Sequence, residues 1–179
     1  MNNGLRRTKC VVDTNVPVTA NKATNPNSIP VNEASCVQKT VDAIVEITRK
    51  GCVVIDSGYE IFNEYRSHLS LKGQPGLGDV FFKWIHDNIG NVANVCQVEI
   101  TKHDNSYDEF PDDPDLCNFD ISDRKFIAVA NAHAEKPPIL EATDSEWWGY
   151  RDILQRHGIK VKFLCPDYVE EKYNRKYKR

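Results

Sequence analysis

The chain has 179 residues and carries 23 Lys and Arg against 26 Asp and Glu, a formal net charge of −3. That length favours one domain with a core of its own, and the negative balance excludes a polyanion binder driven by bulk charge. Apolar residues at 40% and charged residues at 27% exclude a wholly disordered chain, and no apolar run reaches the length of a membrane span.

Lys9 to Val16 predicts a buried strand. Pro17 to Pro30 is rich in Asn, Pro and Thr and reads as a loop. Asn32 is placed to cap a helix with Glu33 in its first turn. Val37, Val41, Ile44, Val45 and Thr48 then repeat at helical spacing, and Gly51 stops the run. Cys52 to Ile55 is a short buried strand. Ser57 is placed to cap a second helix, with Ile61, Phe62, Tyr65 and Leu69 on its apolar face, to about Leu71. Three glycines and a proline between Lys72 and Gly78 mark a loop. Asp79 to Ile89 predicts a third helix, and Asn94 to Thr101 a strand.

The acidic stretch from His103 to Asn118, broken by Pro111 and Pro114, reads as an irregular loop. Ser122 caps a predicted helix from Asp123 to about Ala134. Pro138 to Ala142 is a strand, Trp147 to His157 a helix ended by Gly158, and Ile159 to Leu164 the last strand. One short helix fits beyond Pro166, before a basic tail over residues 172–179. Repeated β-α units imply an α/β fold: a three-layer α/β/α sandwich with a mainly parallel central sheet, formed by residues 1–179 as a single domain.

Six cysteines, at positions 10, 36, 52, 96, 117 and 165, form no CxxC pair, and most lie in apolar runs. They read as reduced core thiols. No signal-peptide core follows the first residues, so the expectation is a soluble cytoplasmic protein without a membrane contact.

Four acids stand at positions that a βα fold brings to one site: Asp13, Glu64, Asp123 and Asp144. Asp13 ends an apolar strand, which puts it at the carboxyl edge of the sheet, where open α/β folds bind ligands. Asp144 follows the strand Ile139-Leu140-Glu141-Ala142. Asp123 opens a helix, whose positive end suits a carboxylate. Glu64 lies between Phe62 and Tyr65, near an apolar helix face, and a half-buried Glu needs a partner. Carboxylates gathered in this way repel one another unless a divalent cation neutralises them.

In these segments the chain resembles the PIN-domain nucleases. The matching motifs are Val11-Val12-Asp13-Thr14-Asn15-Val16, Ile61-Phe62-Asn63-Glu64-Tyr65, Asp123-Arg124-Lys125-Phe126-Ile127-Ala128-Val129-Ala130 and Thr143-Asp144-Ser145-Glu146-Trp147, in the family's order. The pattern departs from the family at Ala142, where members usually carry a Thr two residues before the last Asp.

The resemblance implies a PIN-like fold and a metal-dependent endonuclease that uses Mg²⁺ or Mn²⁺ on a phosphodiester of nucleic acid, with single-stranded RNA placed ahead of DNA. It implies Asp13 and Asp123 as direct metal ligands, with Asp144 and Glu64 at a second ion or the water around it. Thr14 and Asn15 would orient the strand end and the substrate phosphate. Arg124 and Lys125 are candidate substrate contacts, and Asp120 and Glu146 support the acids from behind. Small members of the family serve as ribonuclease toxins, which places an antitoxin or other regulatory protein, and a second copy of the chain, among the implied partners. Two other readings compete. A haloacid-dehalogenase-like phosphatase needs a second Asp two residues after the first, where Asn15 stands. A non-catalytic PIN-like module would bind RNA or protein without cleaving.

Overall fold

A computed structural model describes residues 7–178. Its centre is a five-stranded parallel sheet. The strands are β1 (Thr8–Val12), β2 (Gly51–Asp56), β3 (Val95–Val98), and, after the small antiparallel hairpin of β4 (Lys102–His103) and β5 (Ser106–Tyr107), β6 (Ile139–Glu141) and β7 (Val161–Phe163). The order across the sheet is β3-β2-β1-β6-β7. Val12 pairs with Leu140, Cys10 with Val53, and Asp56 with Val98. The middle strands read as unbroken apolar runs because helices cover both faces.

The helices are α1 (Asn15–Asn21), α2 (Val31–Lys50), α3 (Glu60–His68), α4 (Leu77–Asn88), α5 (Arg124–Ala132), α6 (Glu146–Arg156) and α7 (Pro166–Tyr177). From β1 the chain steps to β2 and β3, then returns past β1 to β6 and β7. Parallel crossovers are right-handed, so the two directions of travel put α1 to α4 on one face and α5 and α6 on the other. The core beneath them includes Val11, Val53, Ile55, Tyr65, Phe81, Phe126 and Trp147. No helix among the described residues is long and apolar enough to cross a membrane.

Several boundaries differ from the sequence reading. The first strand stops at Val12, and Asn15 already opens α1. Pro17 falls in the first turn of that helix, where an N–H has no intrahelical partner and its loss costs nothing. The rest of the expected loop contains two short 3₁₀ turns, Lys22–Thr24 and Pro26–Ser28. Pro30, not Asn32, stands at the N-cap of α2. Gly78 lies where α4 meets α1; a β-carbon there would come within 2.0 Å of the Pro17 carbonyl oxygen, so a larger residue would force the helices apart.

The cysteine expectation is corrected. Cys36 on α2 and Cys165 at the start of α7 form a disulfide, while Cys10, Cys52, Cys96 and Cys117 are free thiols. The basic tail also differs from the reading: residues 172–177 are the second half of α7. Only Arg179 of that tail lies outside the described residues. Lys172 reaches back to the Thr143 carbonyl at 2.7 Å.

Candidate functional site

The carboxyl edge of the sheet gathers the acids. β1 delivers Asp13, which is 4% exposed, and its amide bonds Leu140 O at 3.0 Å. Its carboxyl receives one hydrogen bond within the described residues, from Asn15 N to Oδ1 at 2.8 Å, so Oδ2 stays without a protein donor. Burial, then the neighbouring charges of Glu141, Asp123 and Glu64, push its pKa well above the usual carboxylate range against the Asn15 hydrogen bond. Tyr65 of α3 donates to Val12 O at 2.5 Å and fixes α3 against this strand end.

Glu64, half-buried on α3, is fully engaged. Thr14 Oγ1 donates to its Oε1 at 2.6 Å, and Lys125 Nζ is bonded to its Oε2. Lys125 is only 8% exposed and also donates to the Ser122 carbonyl. Its ammonium therefore lies inside the cluster and balances Glu64. Arg124 points elsewhere: it donates to Cys117 O at 2.8 Å and to Phe119 O, and sits over the Phe110 ring at 4.9 Å.

Asp123 stands at the N-cap of α5 but makes no side-chain capping bond. Burial first, then Asp144, Asp120 and Glu64, raise its pKa to about 7. Asp144 lies in the turn into α6, where its Oδ1 accepts from Glu146 N at 2.8 Å. Asp120 accepts from both Ser122 N and Ser122 Oγ at 2.8 Å and donates its own amide to Glu146 Oε1 at 3.2 Å. Asp120 and Glu146 thus tie the start of α5 to the start of α6, behind Asp123 and Asp144. Burial and Asp144 push the Glu146 carboxyl up.

The structure adds a member that the sequence reading passed over. Glu141, not Asp144, is the acid that ends β6, and it is fully buried. Asn15 Nδ2 donates to its Oε2 at 2.5 Å, and Asp144 N to its Oε1 at 2.7 Å. Asn15 Oδ1 in turn accepts from Ala142 N at 2.9 Å. Burial raises the Glu141 pKa to about 8 despite these bonds, with Asp144 and Asp123 adding to the rise. Asn15 and Glu141 therefore lock β1 to β6 directly under Asp13. An apolar strand ending in an acid is the signal that singled out Asp13, and Ile139-Leu140-Glu141 carries the same signal.

The donor set suits a hard divalent ion: Asp13 Oδ2, the Asp123 carboxyl and Asp144 Oδ2 receive no protein hydrogen bond among the described residues. The cluster is gathered but not closed, for among those residues no three His, Cys, Asp or Glu side chains already stand at ion-holding spacing. A cavity of about 550 Å³ lies at the opposite edge of the sheet, with Arg7, Lys9, Cys10, Ile47, Leu140 and Lys162 among its lining residues. It contains none of the clustered acids, which lie at the carboxyl edge. No family model matches the chain, and neither a curated protein nor a solved structure shows significant similarity to it.

Proposed function

We propose that this chain is a PIN-like, metal-dependent endonuclease acting on single-stranded nucleic acid, RNA ahead of DNA. One observation carries the reading. Asp13, buried at the end of the central strand, keeps an oxygen without a protein donor while Glu141, Asp123 and Glu64 crowd it with negative charge. Such an arrangement is unfavourable without a cation and suited to one. Asp13, Asp123 and Asp144 would hold Mg²⁺ or Mn²⁺. When bound, the ion would neutralise a phosphate and lower the pKa of water for attack on phosphorus.

The chain's own groups do the positioning. Asn15 and Glu141 fix the floor of the site, and Thr14 holds Glu64 in place. The Lys125 ammonium is the one cation inside the cluster among the described residues, and it is placed to attract a phosphate toward the acids. On the α6 side, Lys176 of α7 lies within the field of Asp144 and Glu146, and Tyr173 and Tyr177 pair at 4.8 Å beside it. That cation and aromatic pair suits backbone contact and base stacking along a single strand.

A second reading is favoured by the Lys125–Glu64 ion pair: with one carboxylate already neutralised, the fold could serve as a nucleic-acid-binding module that does not cleave. One experiment separates the two. Labelled single-stranded RNA, single-stranded DNA and duplexes are incubated with the protein and Mg²⁺, Mn²⁺ or chelator. The expected outcome is metal-dependent cleavage of single strands, abolished in Asp13→Asn and in Asp123→Asn with the fold intact. Binding without cleavage under every metal condition would establish the module instead.

A further inference from the structure

The hairpin of β4 and β5 forms one wall of a second, smaller pocket of about 240 Å³, immediately beside the acids. Lys125 and Ser122 form the inner side of this pocket. The Lys125 ammonium is bonded to Glu64, and Ser122 adjoins Asp123 in sequence, so the pocket opens off the carboxylate cluster. The hairpin wall is braced on α3. Tyr107 donates its hydroxyl to Glu60 Oε2 at 3.2 Å, and Lys102 Nζ reaches the same oxygen at 3.4 Å. At the hairpin tip Asn105 lines the pocket, and its side-chain amide has no protein partner among the described residues. Ile121, 54% exposed, gives the mouth an apolar surface.

These walls combine an apolar surface, an exposed amide and two lysines, each shared with a glutamate, and Asp104 also lines the pocket beside Asn105. A planar heterocycle attached to a phosphate uses these groups together: the ring lies on the exposed Ile121, its polar edge meets Asn105, and the phosphate lies toward Lys102 and Lys125, away from Asp104. The pocket is smaller than the ~300–1,000 Å³ common for whole small-molecule sites, which fits one base and not a larger ligand. A base paired in a duplex cannot enter without leaving its stack, so the pocket favours an unpaired strand.

We infer that this pocket receives the base of a nucleotide flanking the phosphate at the acids, and that Asn105 reads that base's edge. The inference rests on the nuclease reading for the role of the neighbouring phosphate, but the binding itself can be measured without cleavage.

The test is fluorescence anisotropy with short labelled RNAs of A, C or U, in chelator, using the full chain. The wild-type protein is expected to separate its tightest from its weakest homopolymer by roughly tenfold, the discrimination that one amide–base pair supplies. Asn105→Ala should shrink that spread to roughly twofold while leaving the fold intact, since the residue is exposed at a turn. Lys102→Glu should weaken all three RNAs alike, as loss of a phosphate contact does, and the matching duplexes should bind more weakly than the single strands. An Asn105→Ala spread equal to wild type, no base preference in wild type, or preferred duplex binding overturns the pocket. Cleavage measured in parallel keeps the two ideas apart. Cleavage with base preference unchanged in Asn105→Ala removes the pocket and leaves the nuclease. Asn105-dependent discrimination without cleavage removes the nuclease and leaves the pocket.

Discussion

Asp56 and Asp13 lie at the ends of adjacent parallel strands, β2 and β1, and both are buried. Their surroundings differ. Asp56 accepts from Glu60 N at 2.7 Å and from Ile61 N at 2.9 Å, one amide on each carboxyl oxygen. It is finished by the protein and serves as the side-chain cap of α3, even though Tyr59, with φ of 65°, occupies the formal cap position. Asp13 accepts from one amide and otherwise faces like charge. The lesson is that an acid at the carboxyl edge of a parallel sheet is not by that fact a site. What distinguishes Asp13 is hydrogen-bonding demand that the fold leaves unmet, in a field that protonation or a cation relieves.

The largest effect tests that distinction directly. Asp13→Asn should lower the cleavage rate on the order of a thousandfold, the several kcal/mol that a bound ion contributes to a charged transition state. The same change removes a buried carboxyl whose ionised form is disfavoured, so the metal-free melting temperature should hold or rise. Rates come from labelled-RNA cleavage and melting from circular dichroism. A variant that melts much earlier and cleaves normally per folded molecule would make Asp13 another Asp56.

A second effect concerns what holds the Asp13 side in place. The Cys36–Cys165 disulfide closes a separation of 129 residues and ties α7 to α2. Cys36 Sγ also lies 3.7 Å from Ala142 O, just past Glu141. In the chain-entropy account a loop of that length is worth about 5 kcal/mol. Replacing both cysteines by serine should lower the denaturant midpoint accordingly, and incubation with excess dithiothreitol should move the wild-type protein toward the same value. An unchanged midpoint in the serine variant would show that the bridge does not constrain the unfolded chain.

These two features were unequally legible in the sequence. Asp13 stood out because a run of apolar residues ending in a carboxylate has few structural explanations. Glu141 carried the same pattern, but Asp144, three residues on, drew the attention as the acid beyond that strand. The sheet is legible because its buried parallel strands are continuous apolar runs. Helix α1 is hidden because Pro17, Asn15 and Asn21 are loop formers by composition, although a proline in a first turn is harmless. The disulfide could not be read, since its partners are far apart in the chain and sequence alone does not define pairing. The engagement of Lys125 with Glu64 was equally out of reach, because nothing in local pattern tells a buried lysine from a substrate contact.

A smaller effect tests the other half of the comparison. Asp56→Ala removes both bonds at the start of α3 and should cost about 1–2 kcal/mol of stability, in the range of a lost helix cap. Cleavage per folded molecule should stay close to wild type, because Asp56 turns its oxygens to α3 and not to the acid cluster around Asp13. Urea unfolding and a cleavage assay at a temperature where both proteins are folded measure the two quantities. A loss of rate as large as that of Asp13→Asn would erase the difference between the two acids.

The last effect is a slope with pH. Asp123 and Glu141 have folded-state pKa values raised to about 7 and about 8, from ordinary values of 3.8 and 4.5. Between the ordinary and the raised values the folded protein holds protons that the unfolded chain has released. Stability must then fall as pH rises through that window. The protonated cluster is at its best near the acid end, and each ionisation on the way to pH 8 adds repulsion around Asp13. The melting temperature of the metal-free protein should therefore fall between about pH 5 and pH 8, a trend set by these raised values. Mg²⁺ should recover most of the loss at the upper end, because a bound ion favours the folded state in proportion to its occupancy. Asp123→Asn removes one of these titrations and should flatten the slope without Mg²⁺. A melting temperature that rises from pH 5 to pH 8 in chelator would mean that the acids at the end of β1 and β6 are as fully satisfied as Asp56, and the distinction between the two strand ends would fail.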